Sequence, residues 1–317
     1  MHAAAPPSGS PVAKAAGARR VDRRRARSGQ LAVGEAEQLL PRWMSRLVVG
    51  VLLVVILGPV CYMVLLSLVP NQDVALGTIS ASVLTLENYV SMWRDAPLAA
   101  GLVHTLIIAG SAAAASVAVG LLAAYPLTRF NFPGRKPYLY TLIAVQTVPG
   151  TTLVLPLFAV LSWIQTTLSV TLIGTYWPII ITYMTFGVPL STWLIVSYLR
   201  AVPRELDEAA LVDGCNRLGA LRRVILPMAL PAIVVAFIFA FLVGWNDVLF
   251  ASVFTNQGNQ TLAIALERFS ANSNGALPVY GELMSAAVVS SAPVVVIYLI
   301  FQRYLIHGLG AGSLTGV

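Results

Sequence analysis

The side chains able to do chemistry are concentrated in one polar segment, residues 203–227, which separates two long apolar stretches. After Arg204, its acidic residues come first and its other basic residues follow: Glu205, Asp207, Glu208 and Asp213, then Arg217, Arg222 and Arg223. Pro203 suits the first turn of a helix, where early acidic side chains are also favoured by the helix dipole. Gly214 suits a left-handed helix end, and Asn216 suits the cap of a second helix. The segment therefore predicts a helix from Pro203 to Asp213, a turn, and a short helix that ends at the basic pair before Pro227.

The sequence contains no arrangement typical of a catalytic or metal site. Its three histidines are far apart, at positions 2, 104 and 307, and neither Cys61 nor Cys215 has a second ligand at metal-binding spacing. A glycine-rich phosphate loop is also missing. We therefore predict no catalytic residues, no metal, no cofactor and no enzymatic activity of the chain itself.

The elements that position the polar segment are predicted to be membrane helices. The chain of 317 residues is 57% hydrophobic and only 10% charged, whereas soluble domains are about one-quarter charged. A bilayer core needs about 20 apolar residues per helical crossing. The charge-free windows then predict an all-α integral membrane protein with six transmembrane helices. These lie at about 47–69 and 100–127, twice within 137–199 with a turn at 162–169, from near Pro231, and at about 283–306.

The distribution of basic residues predicts the orientation. With a cytoplasmic N-terminus, 18 of the 20 Lys and Arg residues lie inside, and only Arg94 and Arg268 lie outside. This agrees with the positive-inside rule, so we expect both termini and the 203–227 loop to be cytoplasmic. The net charge of +7 is explained without nucleic acid.

The chain divides into a tail and a membrane domain. Residues 1–45 are rich in Ala, Pro, Gly, Ser and Arg, a composition that predicts a disordered basic cytoplasmic tail. Binding of this tail to anionic lipid headgroups is the alternative. Residues 46–317 form the predicted six-helix domain. Two polar stretches on its outer side, residues 70–98 and 255–280, suit docking to an extracytoplasmic partner.

The predicted loop helix permits more than one function. Leu206, Ala209, Ala210 and Asp213 share a face at helical spacing, and the two alanines would let another protein approach the backbone closely. An amphipathic helix lying on the bilayer is the competing interpretation. A helix-turn-helix that reads DNA is disfavoured, because a segment held between two spans could hardly reach a major groove.

The loop resembles the "EAA" signature of bacterial ABC importer permeases. The matching residues are Glu208, Ala209, Ala210, Gly214, Val224, Leu226 and Pro227. Further segments of residues 45–316 resemble the MalG-like permeases of carbohydrate importers: 86–89, 125–136, 149–150, 245–247, 261–266 and 301–316. The chain departs from that pattern at His104, where asparagine is usual, and at residues 313–315, where Ser, Leu and Thr replace Ala, Val and Lys.

This resemblance implies a type I ABC importer (MetI-like) permease fold in a bacterial inner membrane. It implies a second permease subunit as heterodimer partner, an ATP-binding cassette ATPase dimer inside and a solute-binding protein outside. The transported solute would be a carbohydrate or a sugar-like compound. In the coupling loop, Glu208 would pair with a basic group of the ATPase, Ala209 and Ala210 would permit close approach, and Gly214 would make the turn. Asp213, Leu226 and Pro227 belong to the same implied ATPase-coupling set.

Polar side chains at membrane depth are candidates for contact with the solute. Asp247 lies beside Trp245 and Asn246 in the outer half of the fifth predicted span, and Gln146 lies within the third. Asp247 could bind a sugar hydroxyl and Trp245 could stack on a sugar ring. The alternative is that these residues only form hydrogen bonds between helices.

Two other functions remain to be compared with ATP-driven import. An ion-coupled secondary transporter of a small polar solute is the main alternative, and it predicts repeated halves and charged residues in several spans. An integral membrane enzyme predicts a cluster of acids, histidines or a nucleophile at one membrane face. The sequence provides neither pattern.

Overall fold

A computed structural model describes residues 42–77, 84–271 and 279–313, and the side chains of residues 43–77, 84–271 and 279–304. The predicted tail thus lies largely outside the described residues, as do Leu314 and Thr315 of the C-terminal departure. The described residues divide into two compact units, one that ends at Tyr62 and one that begins at Met63. In the first unit, most apolar side chains of residues 43–62 are exposed, for example Val54 at 72%.

The described chain folds into thirteen α-helices, which we number in chain order. They are α1 Arg42–Ser67, α2 Asn71–Leu76, α3 Glu87–Asp95, α4 Leu98–Arg129, α5 Arg135–Thr147, α6 Gly150–Leu168, α7 Tyr176–Leu199, α8 Glu205–Val212, α9 Arg217–Ala220, α10 Leu226–Trp245, α11 Leu249–Phe254, α12 Leu262–Ala271 and α13 Tyr280–Ser313. A π-helical turn, Leu221–Ile225, joins α9 to α10.

Six of the described helices are long and apolar enough to cross a membrane, which confirms the predicted number of spans. The spans lie at Trp43–Ser67, Leu98–Arg129, Gly150–Leu168, Tyr176–Leu199, Arg217–Trp245 and Tyr280–Tyr304. The fifth begins well before Pro231, because the π-helical turn continues the helix from α9 into α10.

The predicted turn at residues 162–169 is wrong. Helix α6 continues to Leu168, and the turn follows at residues 169–175. The polar side chains there form hydrogen bonds within the helix or at its end. The Thr166 hydroxyl donates to the Ser162 carbonyl of the same helix at 3.1 Å. The Gln165 amide oxygen accepts from the backbone N–H groups of Leu172 and Ile173 at 2.9 and 2.8 Å, which closes the turn.

Prolines occur both between and inside the helices. Pro149 lies at the break between α5 and α6. Pro156, Pro189 and Pro293 instead lie inside continuous helices. A membrane helix tolerates such a proline where neighbouring groups satisfy the carbonyl that loses its donor.

The core of the bundle is formed by α4, α7 and α10, which pack through small residues. A Cβ atom on Gly120 of α4 would lie 2.9 Å from Ser191 Cβ of α7, and one on Gly244 of α10 would lie 2.9 Å from the Tyr183 ring. Small residues let helix backbones approach closely, which is how membrane helices gain packing energy. This core holds the end of α4 beside the start of the 203–227 loop.

The opposite end of the bundle is tied together by buried polar side chains. The Asn88 amide donates to the carbonyls of Ser67 and Val69 at 3.0 and 2.7 Å. The Ser285 hydroxyl also donates to the Ser67 carbonyl, at 3.1 Å. These contacts fix α3 and the start of α13 against the end of α1 and the residues just after it, Ser67 and Val69.

Candidate functional site

The 203–227 loop has the predicted helix, turn and second helix. Helix α8 spans eight residues, slightly fewer than predicted. Gly214 has a φ of +86°, the left-handed conformation that favours glycine. The Asn216 side chain accepts a hydrogen bond from the Gly219 N–H at 2.7 Å, which caps α9 as expected. The second helix does not end at Arg222 and Arg223 but continues into α10.

A buried ion pair fastens α8 to the end of α4. Arg129 Nε lies 2.6 Å from Asp207 Oδ2, and the side chains are only 7% and 12% exposed. The same guanidinium donates to the Val202 carbonyl at 3.1 Å. This bond gives a partner to a backbone oxygen just after the end of α7. Removing one partner of a buried pair strongly destabilises a protein, because the other charge is then buried without compensation.

Two further arginines strengthen this attachment. Arg204 donates to the Thr128 carbonyl at 3.0 Å. The Arg217 guanidinium lies 4.7 Å from the centre of the Phe130 ring, within cation–π range. Sequence reasoning missed all three anchors. The sequence shows only basic residues at the end of a span and an acidic residue on a short helix. These residues do not indicate which charges pair.

The predicted coupling residues divide into an exposed group and one buried member. Glu208, Ala209, Asp213, Gly214, Leu226 and Pro227 are exposed. Ala210 is only 5% exposed, so its surface is not open to a partner, contrary to expectation. The helical period explains the difference, because Ala210 shares the inward side of α8 with Leu206 and Asp207.

The outward side of α8 also carries apolar surface that was not singled out from the sequence. Val212 is 87% exposed and Leu211 is 40% exposed. Together with Glu208 and Ala209 they form what we call the α8 outer face. The α8 outer face thus presents both apolar and charged side chains at the surface of the chain.

Asp247 forms hydrogen bonds with two helices of the fold. It lies after the end of α10, where its carboxylate accepts from the Tyr183 hydroxyl of α7 at 2.9 Å. The carboxylate also accepts from the backbone N–H groups of Phe250 and Ala251, at 3.4 and 2.9 Å, and so caps α11. The geometry favours hydrogen bonding between helices over contact with solute.

The neighbours of Asp247 differ in accessibility. Trp245 is 9% exposed and stacks on Phe241 at 5.3 Å between ring centres, so its ring is not available to a sugar. Asn246 is exposed and donates to the Leu242 carbonyl of its own helix at 3.0 Å. Trp245 is therefore a core residue, whereas the side chain of Asn246 is accessible from outside the chain.

Gln146 lies at the end of α5, just before the break at Pro149. It is exposed, and its amide donates to the Phe186 carbonyl of α7 at 3.0 Å. Phe186 in turn packs against Phe250 of α11, with 5.5 Å between ring centres. Gln146 and helix α11, which Asp247 caps, therefore meet at the pair of rings Phe186 and Phe250.

Within the part of the chain that the structure describes, no group of three or more His, Cys, Asp or Glu side chains could hold a metal ion. His104 packs edge-on against Tyr176, with 5.8 Å between ring centres.

Comparison with known proteins identifies the class. The family model of the binding-protein-dependent transport system inner membrane component matches residues 116–310. The chain belongs to this family of ABC importer permeases, and it is a multi-pass inner membrane protein. The comparisons do not favour the ion-coupled secondary transporter.

Among similar proteins are three transport system permeases. The chain is 32% identical to the trehalose/maltose permease protein MalG of Thermococcus litoralis, over 88% of this chain and 99% of the relative. It is 31% identical to the trehalose permease protein SugB of Mycobacterium tuberculosis, over 86% and 96%. It is 34% identical to the sulfoquinovosyl glycerol permease protein SmoH of Agrobacterium fabrum, over 73% and 79%.

A solved structure shares the fold. A bacterial ABC transporter that imports the acidic polysaccharide alginate superposes with a TM-score of 0.65 at 18% sequence identity, covering 82% of this chain and 95% of that one. This likeness confirms the predicted six-helix importer permease fold.

Proposed function

We propose that this chain forms half of the translocation pore of an ATP-driven importer for a carbohydrate or a sugar-like solute. A second, related permease subunit would form the other half. The support for the solute class is that similar permeases are named for trehalose, maltose and sulfoquinovosyl glycerol. ATP would be hydrolysed by a separate ATPase dimer, and this chain would be non-catalytic.

The observation that carries the proposal is the attachment of α8 to the core of the bundle. Because Asp207 is paired with buried Arg129, a force on α8 would be passed to α4 rather than absorbed by a loose loop. By the positive-inside rule this loop would lie in the cytoplasm, where the ATPase dimer would also be. Closure of that dimer would then move α4 and open the pore outward.

The residues of the α8 outer face, and the other predicted coupling residues, each have a proposed role. Glu208 pairs with a basic group in the ATPase groove, and Ala209 lets the groove approach the helix closely. Val212 and Leu211, both exposed, supply apolar contact. Gly214 makes the turn that ends the helix, while Asp213, Leu226 and Pro227 line the rest of the exposed loop. Ala210 supports the helix from its buried side.

The opposite end of the bundle is the proposed docking side for a solute-binding protein. A cavity of about 340 Å³ there is lined by Asp95, Gln260 and Arg268, among others. The Arg268 guanidinium donates to the Gln260 amide oxygen at 2.8 Å. Polar and charged side chains at a cavity rim suit a contact that must form and release in each cycle.

For the solute itself we propose Gln146 and Asn246 as pore-facing candidates, since both are exposed. Trp245 and Asp247 would shape the pore from behind without touching the solute. The solute-binding protein would set most of the selectivity.

The test is ATP hydrolysis by the reconstituted importer with a Gly214→Val subunit. A β-branched residue at a φ of +86° would be strained, so the turn after α8 would deform. Gly134→Val is the matched control, because Gly134 also has a positive φ, of +97°, and open space around it, but lies outside the loop. We expect Gly214→Val to assemble and to lose hydrolysis stimulated by binding protein and sugar, whereas Gly134→Val keeps it.

Two results would count against the proposal. If Gly214→Val and Gly134→Val hydrolyse ATP equally, the loop does not couple to the ATPase. If the wild-type chain moves solute without partner subunits when an ion gradient is applied, it is a secondary transporter.

A further inference from the structure

An arginine-lined cavity lies at the start of the coupling loop, and the coupling described above assigns no ligand to it. Its volume is about 430 Å³, and it is bounded by the end of α4, the start of α5 and the segment between α7 and α8. Its lining includes Arg129, Arg135, Arg200 and Arg204, together with Glu205. We call it the arginine cavity.

The charges of the arginine cavity are not balanced by nearby acids. Asp207 neutralises Arg129 through their ion pair. Among the described residues that line the cavity, Glu205 is the only other acid, and it faces three remaining guanidinium groups. The cavity therefore carries a net positive charge of about two when each guanidinium and carboxylate is ionised.

The three remaining guanidinium groups also keep hydrogen-bond donors. Arg204 contacts the Thr128 carbonyl through one terminal nitrogen, at 3.0 Å. Arg135 contacts the Asn131 amide oxygen through one terminal nitrogen, at 3.1 Å. Arg200, just beyond the end of α7, is exposed. Each guanidinium has five N–H groups, so most of the donors at this cavity remain for a ligand.

The chemistry of this donor set selects one type of ligand. Guanidinium groups bind the oxygens of phosphate in pairs, and such charge-assisted bonds are about twice as strong as neutral ones. Several arginines of like charge around one open space also repel each other, and a dianion or monoanion would relieve that repulsion. A neutral sugar would not.

We propose that the arginine cavity binds a phosphate-bearing anion, held by Arg135, Arg200 and Arg204. The cavity lies at the ends of two membrane spans, Leu98–Arg129 and Tyr176–Leu199, so the headgroup of an anionic phospholipid can reach it. A soluble phosphate compound could supply the same group. A bound anion would brace the end of α4 against the start of α8.

Binding is tested with the purified, assembled importer in detergent. A fluorescent phosphatidylglycerol is titrated into mixed micelles, with phosphatidylcholine as the neutral lipid and inorganic phosphate as the soluble competitor. The cavity variant is Arg135→Gln/Arg200→Gln, which removes two cavity charges outside α8. The matched control is Arg222→Gln/Arg223→Gln, which removes two exposed charges of the 203–227 loop that do not line the cavity.

We expect saturable binding of phosphatidylglycerol but not phosphatidylcholine, weakened about tenfold or more by the cavity variant and little by the control. Competition by millimolar inorganic phosphate would identify a soluble phosphate as sufficient, and its absence would identify the lipid headgroup. Equal weakening by both variants would overturn the proposal, because binding would then follow net charge. Failure of the wild-type importer to distinguish the two lipids and to bind phosphate would overturn it as well.

Discussion

At the residue scale, the pair Arg129–Asp207 is the contact on which the geometry of α8 depends. Asp207→Ala would leave a buried guanidinium without its carboxylate, and we expect a loss of about 3–5 kcal/mol in the free energy of unfolding. Thermal unfolding of the purified chain in detergent measures this loss. Asp213→Ala is the control, because Asp213 is an exposed acid next to the same helix.

A double variant separates the ion pair from a general packing effect. Arg129→Met/Asp207→Leu replaces both charges with apolar side chains, which is often neutral for stability. We expect it to recover most of the stability that Asp207→Ala loses. If Asp207→Ala and Asp213→Ala unfold at the same temperature, the pair does not hold α8 in place.

Asp247 provides a second prediction at this scale. Asp247→Asn would weaken the acceptor for Tyr183 and for the start of α11, so we expect a loss of about 1–3 kcal/mol in stability. The solute concentration for half-maximal transport into proteoliposomes should stay unchanged, whereas Gln146→Ala should raise it. A changed half-maximal concentration for Asp247→Asn, with normal thermal stability, would show that Asp247 contacts the solute.

At the element scale, the sequence predicts what depends on local chemistry. Charge-free windows locate six spans because each crossing needs a long apolar helix. The turn at Gly214 and the cap by Asn216 follow from the preferences of single residues and are present as expected. The number and order of the spans and the shape of the loop were thus predictable.

Features that depend on tertiary contacts were not predictable. Residues 162–169 looked like a turn because they are polar, yet Thr166 bonds to its own helix and Gln165 closes a later turn. Ala210 looked like partner surface because it shares a motif with Ala209, yet the path of α8 across the bundle buries it. The pairing of Arg129 with Asp207 joins residues far apart in sequence, and charge alone does not reveal it.

The contact between α4 and α7 gives the prediction at this scale. A Cβ atom on Gly187 would overlap the Ser116 hydroxyl and lie 2.9 Å from its Cβ atom, whereas a Cβ atom on Gly110 would meet nothing within 4 Å. We expect Gly187→Ala to lose about 1–3 kcal/mol of stability by overpacking. Gly110→Ala should be neutral or slightly stabilising. Equal melting temperatures would contradict the close α4–α7 packing.

At the scale of the whole molecule, the permease is a bundle whose α4, α7 and α10 core carries a separate, firmly attached helix at one end. Family membership explains the six spans, and the anchors explain how an event at α8 can reach α4. We propose that the α8 outer face, and not the buried side of α8, contacts the ATPase. Ala209 is exposed and its neighbour Ala210 is buried, so the two sides of α8 can be compared within one helical turn.

The most direct measurement is photocrosslinking in the assembled importer. Cysteines at Ala209 and Ala210, in a chain whose native Cys61 and Cys215 are changed to serine, would each carry a maleimide-benzophenone group. Ala209→Cys should crosslink to the ATPase subunit in a manner that depends on ATP, because Ala209 is exposed. Ala210→Cys should crosslink only within the permease, because Ala210 is 5% exposed. Equal crosslinking from both positions, or none from Ala209→Cys, would contradict the account.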